Sequence, residues 1–216
     1  MKIDVNKTAL TLVEMLIVVA IVVILTTMVI GLAGRVTDQS KEQLTRNTIG
    51  ILTAALEQFQ DYRYQYKNLA YIDFDFPLDC NDFLQPDLQM TVGNALGATA
   101  VVSGGTPDIS YSGAEALYLF LSQLPECRKT LDKIDESLIT NLGVDKQPRN
   151  ITVTYLSGSV KNYSMFRVID PWGTTFKYDY YDEVTLNPRS KRTFPVITSA
   201  GPDKQFGTTD DISSRK

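Results

Sequence analysis

The chain has 216 residues, 44% of them hydrophobic, a net charge of −4, no histidine and two cysteines. Its mild acidity argues against a role dominated by nucleic-acid phosphates. The lack of histidine removes the commonest general base and the commonest zinc ligand. The length suits one anchor helix and one globular domain of moderate size.

Residues 1–9 carry Lys2, Asp4 and Lys7 and so hold one positive charge, which leaves −5 on the remainder. From Met15 to Gly34 there is no charged residue. Twenty helical residues at ~1.5 Å each match the hydrocarbon thickness of a bilayer, about 30 Å. Residues 10–34 are therefore predicted to form a transmembrane helix. The basic leader faces only the balanced set Arg35, Asp38, Lys41 and Glu42 beyond the span, which predicts a cytoplasmic amino terminus and an exported carboxy-terminal bulk. Glu14 stands at the start of this apolar run. An acid costs about 2.5 to 3.5 kcal/mol at the centre of a membrane helix, so Glu14 is predicted to meet a positive partner.

Two plainer readings compete with a specialised one, namely a cleaved secretory signal and an ordinary signal anchor. The surroundings of Leu32-Ala33 make a poor small-x-small cleavage site, and the apolar run exceeds the roughly 7 to 15 residues of a secretory signal.

The motif Ala9-Leu10-Thr11-Leu12-Val13-Glu14 behind a basic leader resembles the class III signal of the type IV pilin and pseudopilin family, Gly-Phe-Thr-Leu-Ile-Glu. The resemblance implies cleavage by a prepilin peptidase between Ala9 and Leu10, N-methylation of the new amine, and Glu14 as the fifth mature residue. Ala9 stands for the commoner glycine and Leu10 for phenylalanine, which keeps the order small, then large and apolar. In a filament the amine of one subunit's Leu10 would meet the Glu14 carboxylate of its neighbour, each offsetting the desolvation of the other.

Between Arg35 and Tyr66 there is no proline, and Leu44, Thr48, Ile51, Leu52, Ala55, Phe59, Tyr62 and Tyr66 recur at three- and four-residue steps. That period predicts that the helix continues through 35–67 as an amphipathic half. Gly31, Gly34 and Gly50 each lower helicity by about 1 kcal/mol relative to alanine and mark candidate bends.

Residues 68–165 read as a variable insertion. Proline and glycine punctuate 68–110, with one short strand expected near Ile72 to Phe76. A helix is expected at 113–124, opened by Ser112-Gly113-Ala114-Glu115 and stopped by Pro125. A weaker helix is expected from Cys127 to about Asn141. Ile151–Leu156 and Val160–Val168 flank Ser157-Gly158-Ser159 as a hairpin. In the region 166–216, the turn Asp170-Pro171-Trp172-Gly173 precedes strands at Thr175–Tyr181 and Phe194–Ser199.

The expected fold class is α+β: a long amino-terminal helix packed against a small antiparallel sheet, with a helix- and loop-containing insertion, a pilin-like plan. The turn, the strands after it and the segment SAGPDKQFGTTDDI resemble the major pseudopilin of type II secretion systems. The likeness covers residues 7–66 and 166–213; residues 68–165 fall outside it.

Asp203, Asp210 and Asp211 lie close together with Gly201 and Gly207. Carboxylates and loop carbonyls suit a hard cation, but the spacing fits neither an EF-hand nor a glycine-rich β-helix repeat. From spacing alone a solvated acidic turn is the stronger reading. The pseudopilin resemblance implies calcium held by Asp203, Asp210 and Asp211, with Thr198 and Phe206 as candidate carbonyl donors. Cys80 and Cys127 both fall in the exported part, where thiols tend to be oxidised. A Cys80–Cys127 bridge would contribute roughly 4 kcal/mol in the chain-entropy model; two unpaired buried thiols are the alternative.

Other clusters read most simply as structure. Tyr62, Tyr64 and Tyr66 could stack nucleobases, but aromatics closing an amphipathic helix are more often core and rim. Asp73, Asp75, Asp79 and Asp82 read as a solvated loop rather than a second cation site. No nucleophile arrangement or phosphate-cradling loop is present, and no enzymatic activity is expected.

The resemblance implies a structural subunit of a type II secretion pseudopilus in the bacterial inner membrane, with a periplasmic globular domain. Its implied partners are further copies of itself, a prepilin peptidase, inner-membrane secretion platform proteins and minor pseudopilins. Nucleic acid is not expected. The alternatives are a type IV or competence pilin for adhesion or DNA uptake, and an unprocessed signal-anchored extracytoplasmic domain.

Overall fold

Unbroken by proline, the amino-terminal apolar and amphipathic pattern forms one helix, α1, Leu12–Gln65, with Glu14 in its first turn. The computed structural model describes residues 12–65, 76–77, 98–104, 109–155, 157–180 and 194–215, with side chains except at 27–36, 63–65, 98–104 and 109–111. Helical geometry continues through Gly31, Gly34 and Gly50. The chain divides into two compact units, Met1–Lys41 and Glu42–Lys216, and the division falls inside α1.

In the first unit, the large hydrophobic side chains from Leu12 to Leu25 are each at least half exposed. The Thr26 hydroxyl donates to the Val22 carbonyl at 2.6 Å, so the helix itself satisfies its polarity. Among the described residues no helix is long and apolar enough to cross a membrane.

The second unit is α+β. Its part of α1 buries Thr48, Leu52, Ala55 and Phe59 of the predicted stripe, but the buried face also takes in Thr45, Ile49 and Leu56, while Leu44, Ile51 and Tyr62 are only partly buried. Arg46 and Glu42 pair at 2.8 Å on the exposed side, where such a pair adds little. Helix α2, Ile109–Gln123, is followed by α3, Pro125–Leu131, with Leu124 as N-cap and Pro125 at the first helical position. Helix α2 is buried nearly all round through Ala114, Ala116, Leu117, Leu119, Phe120 and Leu121, so it is an internal element rather than a surface helix.

Among the described residues, eight short strands form three antiparallel sheets. Strand β1, Ala98–Gly104, pairs with β3, Asn150–Tyr155, which pairs with β4, Val160–Ser164. Strand β2, Ile139–Thr140, pairs with β5, Arg167–Val168. Strand β6, Lys177–Asp179, pairs with β7, Val196–Ser199, which pairs with β8, Ile212–Ser213. One hydrophobic cluster joins Leu52, Leu56 and Phe59 of α1 to Leu121, Leu131, Ile151, Val153, Met165, Phe176, Tyr178 and Ile197. Phe76 packs edge-on against Phe194 at 5.0 Å and Tyr180 at 5.7 Å, while the Tyr178 hydroxyl donates to the Pro77 carbonyl at 2.7 Å.

Four expectations change. The helix expected at 113–124 starts at Ile109 and ends at Gln123; Ser112 and Gly113 are buried inside it, and their burial overrides their value as a start signal. The helix expected from Cys127 to about Asn141 stops at Leu131. There the Asp135 side chain accepts from the Ser137 amide at 2.9 Å and sets a 3-10 turn, Glu136–Leu138, that leads into β2. The loop-rich reading of 68–110 missed β1, whose partner β3 lies far along the chain. The expected single sheet is three small ones among the described residues, with the hairpin beside β1 in the first of them. The expected strand near Ile72 lies outside the described residues except for Phe76.

Candidate functional site

The acidic loop is built on the end of β7. Ser199 is fully buried, and Gly201 adopts φ +67, a conformation that favours glycine. A Cβ at Gly201 would meet the Asp210 carbonyl and lie 2.9 Å from Asp210 Oδ2, so glycine lets the two strands of the loop close on each other. Asp210 Oδ2 accepts from the Asp203 amide at 3.1 Å, and its Oδ1 accepts from the Thr208 hydroxyl at 2.6 Å. The Thr208 hydroxyl and then the Asp203 amide hold the Asp210 carboxyl below its ordinary range. Asp203 Oδ1 accepts from the Gln205 amide at 2.8 Å, and Asp211 Oδ2 accepts from the Gly207 amide at 2.7 Å.

The three predicted aspartates thus share one turn network, each capping a different piece of backbone. Among the described residues no three acidic, cysteine or histidine side chains group as a ready metal cage. One oxygen stands apart. Asp211 Oδ1 is buried and receives no hydrogen bond, and a buried carboxylate oxygen left so is costly unless a cation or another donor reaches it. In donor chemistry the loop fits a hard cation; no coordination geometry follows from it. Thr198 lies within β7 between Lys177 and Ser213, and Phe206 is exposed on the loop.

The turn before β6 is organised by Asp170. Its Oδ1 accepts from the amides of Trp172 at 3.1 Å and Thr174 at 2.8 Å, and the turn closes through Gly173 at φ +90. Its Oδ2 accepts from the buried Ser199 hydroxyl at 2.7 Å. The sequence reading of Asp170 as a turn former covers only the first half of this. Trp172 packs half-buried against the core.

The sequence also missed a buried ionic cluster. Glu115 on α2 pairs with Arg149, and Arg167 Nη1 lies 3.8 Å from Glu115 Oε1. Arg167 also donates to Thr175 Oγ1 at 3.0 Å and to the Leu142 carbonyl at 2.8 Å. It ties α2, β5 and the loops at 142 and 175 together.

Ala9 and Leu10 lie outside the described residues, as do Cys80, Tyr66 and the aspartates at 73, 75, 79 and 82. Cys127 is a free, buried thiol whose Sγ donates to the Ala55 carbonyl at 3.4 Å. It joins α3 to α1 as a small core residue. Tyr62 is half-buried against the core, in keeping with the structural reading.

No family model, curated protein or solved structure matches the chain.

Proposed function

We propose that the chain is a structural subunit of a type II secretion pseudopilus. It is cut by a prepilin peptidase between Ala9 and Leu10, anchored in the bacterial inner membrane through residues 10–34, and polymerised so that its globular domain stands in the periplasm. The observation that carries this reading is the first unit's helix, apolar and exposed from Leu12 to Leu25 with an acid, Glu14, in its first turn. Exposed side chains of this kind call for lipid or further helices around them. An acid at one end supplies registry when the cation facing it comes from another copy. The subunit catalyses nothing itself; it is a substrate of the peptidase and then a building block.

In the second unit the acidic loop is read as a calcium site formed by Asp203, Asp210 and Asp211. The uncompensated Asp211 Oδ1 supports that reading. A divalent cation bound there would offset the repulsion among three carboxylates and stiffen the surface that the loop presents.

The test is Glu14→Ala in cells. The variant should insert in the membrane at the parent level yet yield fewer sedimentable filaments by about tenfold or more, the loss expected for a desolvated charge pair. Filaments at the parent level would overturn the pairing.

A further inference from the structure

The turn at 170–174 and the acidic loop at 200–211 are separate in sequence, but a chain of buried hydrogen bonds connects them. Asp170 is 1% exposed and Ser199 is fully buried. The Ser199 hydroxyl donates to Asp170 Oδ2 at 2.7 Å, and Ser199 Oγ in turn accepts from the Gly201 amide at 3.1 Å. Gly201, at φ +67, backs directly onto Asp210, and Asp210 Oδ2 accepts from the Asp203 amide at 3.1 Å. Each link uses a group whose position the previous one fixes: a hydroxyl rotor by a carboxylate, an amide by that hydroxyl, a loop carboxylate by the glycine packed against it.

We propose that Asp170 is the positioning residue of the acidic loop and acts on it through Ser199. Asp170 divides its two oxygens between two tasks. Oδ1 shapes its own turn through Trp172 and Thr174, while Oδ2 reaches across to β7. Turn and loop therefore order as one unit, and the loop meets a cation already folded instead of folding around it. Pre-ordering of this kind raises affinity because less chain entropy is lost on binding. The consequence for binding rests on the calcium reading of the loop; the ordering itself does not.

The test uses the full chain in detergent micelles and follows amide hydrogen exchange residue by residue, first in chelator and then across a calcium titration. In chelator, Ser199→Ala should speed exchange at Gly201, Asp203 and Gly207 by about tenfold, leaving Trp172, Thr174 and the remote core amides of Ile151 and Val153 at parent rates. Asp170→Asn should release the turn amides as well as the loop amides. Loop amides that keep parent rates in Ser199→Ala, or acceleration spread equally to Ile151 and Val153, would overturn the proposal. In the titration, the parent loop should gain protection with calcium, and Ser199→Ala should need about tenfold more calcium for the same gain. A parent loop indifferent to calcium, beside a loop loosened in Ser199→Ala, removes the cation reading and leaves the positioning role standing. Parent exchange rates in the Ser199→Ala loop together with an unchanged calcium requirement remove the positioning role and leave the cation reading intact.

Discussion

Arg149 donates from Nε to Glu115 Oε1 at 2.7 Å and from Nη2 to Glu115 Oε2 at 3.0 Å, with both side chains almost wholly excluded from solvent. This two-pronged pair fastens α2 to the residue that precedes β3 and lies beside the hydrophobic cluster. Two facing apolar residues would serve the core as well, so the pair's worth lies in what happens when one member is lost.

Glu115→Ala takes the carboxylate from the buried Arg149 guanidinium and from Arg167 beside it, and Arg149→Ala leaves Glu115 buried with the more distant Arg167 Nη1 at 3.8 Å in place of the two-pronged pair. Each is expected to cost about 3 to 5 kcal/mol, read as a lowered denaturation midpoint of the second unit. A double replacement by Leu and Met should recover only part of the loss, because the buried Arg167 still loses the Glu115 carboxylate beside it. Single variants within about 1 kcal/mol of the parent would show that the charges are not desolvated as described.

Cys127 offers a chemical test of the core between α1 and α3. Burial, partly opposed by a backbone hydrogen bond, pushes its thiol from 9.0 up to about 11. A raised folded value favours the neutral thiol, so the stabilisation is complete below pH 9.0 and is lost as pH climbs through about 11. After reduction, iodoacetamide at pH 8 should leave Cys127 of the folded chain unmodified and label it readily in denaturant. Peptide mass spectrometry reads both; rapid native labelling would contradict the burial.

The acidic loop should answer to pH in the opposite sense. The Asp210 carboxyl is held below 3.8, first by the Thr208 hydroxyl and then by the Asp203 amide. A depressed folded value means that the stabilisation is present above the unfolded value and is lost as pH falls through the folded one. Exchange protection at the Asp203 amide should therefore be constant down to about pH 4 and fail only below 3.8. Loss of protection between pH 5 and 7 would mean that another group holds the loop.

Much of the plan was legible from local pattern. The stripe through Thr48, Leu52, Ala55 and Phe59 is buried as its spacing predicts, and Ser157-Gly158-Ser159 turns the β3–β4 hairpin with Gly158 at φ +80. What escaped depends on distance along the chain. Strand β1 takes its meaning from β3, and Glu115 read as a helix opener because Arg149 is not its neighbour in sequence. Asp170 carried a turn signal, yet the oxygen that matters beyond the turn finds Ser199 only after β6 and β7 pair. The acidic loop was visible as composition; its network, with Asp203 and Asp210 joined through an amide and Asp211 bound to Gly207, was not.

The central claim concerns a bond broken at the amino terminus and the charge that this break creates. Intact-mass and peptide mass spectrometry of the chain purified from a membrane that carries a prepilin peptidase tests it most directly. A chain starting at N-methyl-Leu10, within reach of a neighbour's Glu14, is the predicted result. A chain still starting at Met1 would contradict the account.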